Sequence, residues 1–262
     1  MTTATKALEL AGFDTLPREI TKMMEQQFTL GRLVRRGTLD VSLKEAYTAL
    51  VIRDDLPEQV RDLYIPKFGY SLATFIESDK KSGIASAKAD VLALYGLHGV
   101  EATEDDISAA IRHLASKARL DECFFWCSPS VYVSMLKNPN PNFFSRADDY
   151  LTEDGALGNS YCGKLLYTIP CHRSSLTRVA ANQSVSWMAT RDAITLDMRE
   201  PVVAAIRAED EEPTTTGPIS EYTRLSLREM QRELVDGETA LMAIVPYAFR
   251  IHPDEIALVC GD

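Results

Sequence analysis

The stretch Ala240–Val259, ALMAIVPYAFRIHPDEIALV, constrains this chain more than any other. Tyr247, Phe249 and Ile251 recur at period two between Pro246 and Pro253, the spacing of a strand with one buried face. Pro253, Asp254 and Glu255 form a turn, and Ile256–Val259 reads as a short second strand. Chain ends fray unless pairing or packing holds them. With Cys260, Gly261 and Asp262 alone beyond these strands, this end of the chain is expected to be built into a sheet.

Composition sets the scale of the fold and excludes several functions. The 262 residues are 45% hydrophobic and 25% charged, a globular balance that allows one large domain or two interleaved ones. Thirty-eight acidic against 28 basic residues leave a net charge of -10. A groove dedicated to gripping nucleic acid needs clustered Lys and Arg, so it is not expected here. No apolar run is long enough to span a bilayer, and the N-terminus lacks the basic-then-apolar pattern of a signal peptide. A soluble, non-secreted protein is expected. Five cysteines, an odd number in a chain with ample core, fit a reducing compartment better than a disulfide scaffold.

Along the chain, Ile20, Met23, Met24, Gln27, Leu30, Leu33 and Val34 predict an amphipathic helix from Pro17 to about Arg36, with Gly37 as its C-cap. Leu43–Ile52 reads as a second, shorter helix. The aromatic, punctuated stretch from Leu63 to Ser82 fits a hairpin, a lid or an extended arm equally well. Ile84–Tyr95, alanine-rich and apolar, predicts a buried helix ending at Gly96. Thr103, followed by Glu104, Asp105 and Asp106, caps a helix whose buried stripe is Ile107, Ala110, Ile111, Leu114 and Ala118. Cys123–Cys127 reads as an apolar strand, and Ser128 with Pro129 starts a helix through Leu136 that Asn138–Asn142 breaks. Gly163–Ile169 predicts another strand, and Val185–Leu196 supplies more sheet. Ala208–Ile219 is a surface loop by composition. Ser220–Val235, with Leu225, Leu227, Met230 and Leu234 apolar among charged neighbours, reads as helix, with strand for part of it as the alternative.

Candidate chemical sites are sparse. Cys123, Cys127, Cys162, Cys171 and His172 are soft ligands by type, but Cys123 and Cys127 flank Phe124, Phe125 and Trp126 in a strand and lack the tight turn of a zinc pair. They read as core cysteines, and no metal is expected. The nucleophile elbow of hydrolases is absent, and Asn159, Ser160 and Cys162 have no base at a defined spacing; His172, His98 or His113 would have to approach a serine or cysteine through the fold. Gly155, Gly158 and Gly163 match neither phosphate-binding fingerprint. The acidic residues Asp148, Asp149, Glu153 and Asp154 fit no calcium-loop register. No catalytic residue, cofactor site or metal site is therefore assigned. An α+β chain without a persuasive active site points to a structural or assembly role.

Four segments, in order, resemble the major capsid proteins of tailed bacteriophages with the Hong Kong 97-like fold. CFFWCSPSVYVSMLKNP (Cys123–Pro139) is similar to the family's strand followed by a helix, here through Ser128, Pro129, Tyr132 and Leu136. GALGNSYCGKLLYTIPCH (Gly155–His172) is similar to its glycine-marked segment leading into a strand. In WMATRDAITLDMREP (Trp187–Pro201), Arg191, Asp192, Ala193 and Ile194 resemble the turn after the central sheet. ALMAIVPYAFRIHPDEIALV resembles the closing strand, turn and final strand. Together they cover about Thr103 to Val259, while the first hundred residues match poorly.

The resemblance implies an N-terminal helical arm over residues 1–52 and a possible extended loop over 53–83. It implies a peripheral domain over 84–122 and 208–262, with Ile84–Gly96 as its spine helix, and an axial domain over 123–207. It implies a structural, non-enzymatic protein that self-associates into hexamers and pentamers of an icosahedral shell around double-stranded DNA. Its location would be the virion capsid, after synthesis in the host cytoplasm. Scaffolding, portal or decoration proteins would be possible partners, packaged DNA would be near without specific binding, and no membrane would be involved. Some relatives join a lysine to an asparagine; Lys67, Lys80, Lys81 and Asn182 are candidates, and no crosslink is expected. Two other readings remain open at this point: a small cytosolic hydrolase with a site near Tyr161, Cys162 and His172, and a non-shell adaptor using the same fold.

Overall fold

A computed structural model describes residues 15–27, 30–53, 66–76, 93–95, 103–137, 140, 142–146, 161–166, 168–173 and 185–260. In chain order the helices are α1 (Leu16–Gln27), α2 (Leu30–Leu33), α3 (66–76), α4 (Glu104–Ala115), α5 (Pro129–Lys137) and α6 (Glu221–Gln231). The first strands are β1 (Arg35–Arg36), β2 (Lys44–Arg53), β3 (Ala93–Tyr95), β4 (Cys123–Cys127), β5 (Phe144–Arg146), β6 (Tyr161–Leu165) and β7 (Ile169–Arg173). Then come β8 (Val185–Thr190), β9 (Ile194–Met198), β10 (Val202–Arg207), β11 (Thr214–Thr215), β12 (Glu238–Ile251) and β13 (Ile256–Cys260). The architecture is α+β, as expected.

The chain divides into two compact units. One comprises residues 1–28, 40–76 and 197–248, the other 29–39, 77–196 and 249–262. Two of the division points fall inside strands, one in β9 and one in β12. The physical reason is strand pairing. The last strand, β13, does not pair with β12 but hydrogen-bonds β8 on one side and β3 on the other, so the final residues belong to a different sheet from the strand before them.

In the first unit, β2, β12, β10 and β11 stand in that order, antiparallel throughout. β12 is 14 residues long and pairs with β2 along all ten residues of that strand, from Glu238↔Arg53 to Tyr247↔Lys44. The helix expected over Leu43–Ile52 is thus a strand. Tyr47, Thr48, Val51 and Ile52 are aromatic or β-branched, and pairing with β12 decides in favour of their strand preference. Helix α6 packs Leu227, with Met230 and the flanking Ile219 and Leu234, on Ala204, Ile206, Ala240, Met242 and Ile244. α1 buries Leu16, Ile20 and Met24. It ends earlier than expected: Leu30–Leu33 is a separate turn of helix and Arg35–Arg36 is a strand. Gly37 is no C-cap, because its N–H donates to Leu196 O in the other unit's β1–β9 pair. α3 lies in the segment left open between hairpin, lid and arm, and buries Phe68, Leu72, Ala73 and Ile76. Gly69 lets it approach α1 closely, since a Cβ there would stand 2.6 Å from Met23 Cβ.

The second unit holds a seven-stranded mixed sheet, β3-β13-β8-β4-β7-β6-β5. α4 and α5 form where the sequence predicts them, although α4 ends at Ala115 and leaves Ala118 of the expected stripe beyond it. Thr103 Oγ1 accepts from Asp106 N at 3.2 Å while Asp106 Oδ2 accepts from Thr103 N at 2.9 Å, a reciprocal capping box. Ser128 Oγ caps α5, accepting from Val131 N at 3.4 Å, with Pro129 in the first turn. α4 and α5 cover one face of the sheet, burying Ile107, Ala110, Ile111, Leu114, Val131 and Met135 against Phe125, Met188, Ala257 and Val259. The strand expected over Gly163–Ile169 is instead a hairpin of β6 and β7 with a bulge between Tyr161 and Gly163. Gly163 has φ 146°, and a Cβ there would strike Ser145 O and lie 2.8 Å from the Phe144 ring, so glycine is required. The helix expected over Ile84–Tyr95 is a strand at its end, where Ala93–Tyr95 pairs in parallel with β13. Its remainder lies outside the described residues.

Candidate functional site

The thiol and imidazole groups come closest to an enzyme-like cluster, because β4, β7 and β6 lie side by side. Alternation along these strands separates them. Cys123, Cys127, Cys162 and Cys171 all face the apolar core beneath α4 and α5. Each thiol donates to a backbone carbonyl: Cys123 to Arg119 O at 3.4 Å, Cys127 to His172 O at 3.5 Å, Cys162 to Cys171 O at 3.5 Å and Cys171 to Ile169 O at 3.7 Å. His172 points to the opposite face, fully buried and stacked on Trp126 with ring centroids 6.4 Å apart. Trp187 lies 6.4 Å from Trp126 and 5.4 Å from Phe124, extending the aromatic row from β7 across β4 to β8. The Trp187 Nε1 donor is buried there without a hydrogen-bond partner among the described residues.

The electrostatics oppose nucleophilic catalysis. Burial pushes the Cys123 thiol up to about 11, helped by the neighbouring carboxylates of Glu122, Asp121 and Glu255. Cys127 is held well above the usual thiol range by the adjacent Cys162 side chain and by burial, and Cys171 is held there by burial. A thiolate is the reactive form, so these are poor nucleophiles. Burial lowers His172 to about 4, leaving a neutral ring on the wrong side of the sheet from Cys162. The geometry thus separates the two groups that the hydrolase reading needs to join. Among the described residues no group of three His, Cys, Asp or Glu side chains could hold a metal. His113 Nε2 is within 3.1 Å of Asp254 O, an intramolecular contact of α4. Lys67 is exposed on α3, while His98, Lys80, Lys81, Asn182 and the residues 148–159 lie outside the described residues.

The surface feature that stands out is apolar. In the first unit, Tyr222 and Leu225 on α6 are 62% and 55% exposed, and Tyr47, Val51 and Phe75 are 39%, 46% and 44% exposed. Tyr47 links them: its ring lies 6.2 Å from Tyr222 and 6.5 Å from Phe75, and its hydroxyl is 3.5 Å from that of Tyr222. That hydroxyl contact raises the Tyr47 phenol above its ordinary value. Together these residues leave on the order of 400–500 Å² of largely apolar surface, the scale of the largest patch on a typical monomer. The strand beneath is fixed to α6 by Glu45, whose Oε2 accepts from Ser220 Oγ at 2.6 Å and Thr223 Oγ1 at 2.9 Å.

Sequence reasoning did not single out these residues. A helical reading of Leu43–Ile52 hides the alternation of exposed Tyr47, Ala49 and Val51 with half-buried Thr48, Leu50 and Ile52, which was the available signal. Among the described residues no helix is long and apolar enough to cross a membrane.

No family model and no curated protein matches the sequence. Solved structures do. A structure from Gordonia phage Cozz is similar at TM-score 0.56 and 10% identity, covering 90% of this chain and 87% of that one. A structure from Mycobacterium phage Che8 is similar at TM-score 0.53 and 15% identity, over 85% of this chain and 75% of that one. The virus-like particle from Pyrococcus furiosus is similar at TM-score 0.52 and 11% identity, over 94% of this chain and 97% of that one. At such identities the likeness is one of fold, and the α+β architecture agrees with the Hong Kong 97-like fold of these neighbours.

Proposed function

We propose that this chain is a shell-forming structural subunit, one that self-associates into hexamers and pentamers of an icosahedral capsid enclosing double-stranded DNA. The observation that carries the reading is the match over 94% of this chain and 97% of the virus-like particle protein, with phage structures sharing the same fold. In this reading the unit containing the seven-stranded sheet takes the axial role and the unit containing β2, β12, β10 and α6 the peripheral one. The burial of the Cys123, Cys127, Cys162 and Cys171 thiols and the exposed aromatic patch support an assembly role over catalysis. Scaffolding, portal or decoration proteins are partners that the reading admits, and the virion is its location.

Electron microscopy of the concentrated protein tests it. Closed shells, tubes or capsomer rings are the expected result; a monomer persisting across salt and concentration would sink the proposal. Nuclease-protected DNA in purified particles is the expected content, and particles free of nucleic acid would overturn the DNA-enclosing part of the proposal.

A further inference from the structure

We propose that β2 is the strand through which two copies of this chain pair antiparallel about a two-fold axis at Ala49, continuing the β2-β12-β10-β11 sheet from one copy into the next. Among the described residues the strand partner of β2 is β12, and a further strand would add along its other edge between Ala46 and Ile52. The strand is long and its residues Tyr47, Ala49 and Val51 are exposed, a surface that aggregates unless something covers it.

The sequence of β2, KEAYTALVIR, is complementary to itself in one register. Two-fold pairing centred on Ala49 sets Tyr47 opposite Val51 of the other copy, and Val51 opposite Tyr47 in turn, a favourable aromatic and β-branched pair on the exposed face. It sets Glu45 opposite Arg53 at both ends, matching opposite charges, and Thr48 opposite Leu50 on the reverse face. Pairing one residue out of this register would put Lys44 opposite Arg53 and bring unlike faces together. The axis is perpendicular to the sheet, so both copies keep α6 on the same side, and Tyr222 and Leu225 of each flank the new seam. The exposed patch supplies on the order of half of the roughly 800 Å² per partner that a stable interface buries, and the paired strands with their polar rim supply the rest. The choice of a second copy as occupant rests on the shell reading; the register rests on β2 itself.

The position on the axis provides the test. Residues directly opposite across an antiparallel pair have Cα atoms about 4.5–5.5 Å apart, within disulfide range. Ala49→Cys, at an exposed position, therefore places a thiol against its own copy. Treated with diamide, which accepts the two electrons and two protons released as the S–S bond forms and becomes the hydrazine, it should give a dimer on non-reducing gels that thiol reductant dissolves. Val51→Cys is the control, because its own copy would be displaced by four residues, about 13 Å along the strand. Rapid dimerisation of Ala49→Cys with at least tenfold slower dimerisation of Val51→Cys is the expected result. Equal rates for the two, no crosslink for Ala49→Cys in concentrated protein, or a crosslink only to some other protein in a lysate would overturn the pairing. Microscopy of the same samples separates the two ideas. Shells without the crosslink remove this register and leave the shell reading, whereas crosslinked dimers without shells do the reverse.

Discussion

His172 shows how one buried side chain ties the second unit to pH. Its ring is neutral where it stacks on Trp126, and burial lowers its pKa from the ordinary 6.5 to about 4. Above pH 6.5 the ring is neutral folded or unfolded and contributes no pH dependence. Between 6.5 and 4 the unfolded chain binds a proton that the folded chain refuses, so stability falls as pH falls through this window, by about 3 kcal/mol in all. Urea unfolding from pH 7 to pH 4.5 should show this slope, and His172→Phe should flatten it relative to the parent. A parent and variant with identical pH profiles would place the pH sensitivity elsewhere. The buried cysteines were legible as core from the sequence, since their type and apolar neighbours say as much. That Cys162 and Cys171 face away from His172 was not, because it depends on the bulge and pairing of two strands.

At the scale of elements, the junction of β2 and α6 is built from a few polar contacts. Ser220 Oγ accepts from Thr223 N at 3.2 Å as the helix N-cap and also donates to Glu45 at 2.6 Å, so one hydroxyl both starts α6 and ties it to β2. Ser220→Ala should cost about 1–2 kcal/mol, the loss of a cap together with a charge-assisted hydrogen bond. Thermal unfolding would read the loss, and near-ultraviolet circular dichroism would follow the Tyr47–Tyr222 contact. No change in either would remove this junction from the account. Helix starts such as Thr103 and Ser128 were visible in the sequence because capping is local, set by residues within one turn. β2 was not, because its state is decided by β12, almost two hundred residues away in sequence, at ten successive pairs.

For the whole molecule, stability and association should respond to different surfaces. Each unit has its own buried cluster, with Leu227, Met242 and Ile244 in one and Phe125, Met188 and Val259 in the other. The patch around Tyr222 and Leu225 belongs to neither. Leu225→Ser should therefore leave unfolding within about 0.5 kcal/mol of the parent, as exposed substitutions usually do. It should also shift self-association to higher protein concentration by severalfold. Light scattering against concentration checks the second effect; an unchanged association curve would mean that the patch is not an interface.

The sequence by itself determined what local chemistry can encode: the helix starts at Thr103 and Ser128, the buried face of α4, the apolar strands at Cys123 and Ile256, and the order of segments that resembles the Hong Kong 97-like fold. It also excluded the common catalytic fingerprints. The tertiary structure alone decided which strands meet. It placed β12 and β13 in different sheets, turned Leu43–Ile52 from helix to strand, put Cys162 and His172 on opposite faces, and assembled Tyr47, Phe75 and Tyr222 into one exposed patch. Strand pairing joins residues distant in sequence through backbone groups that every residue carries, so side-chain pattern marks where a strand can form but not which partner it takes.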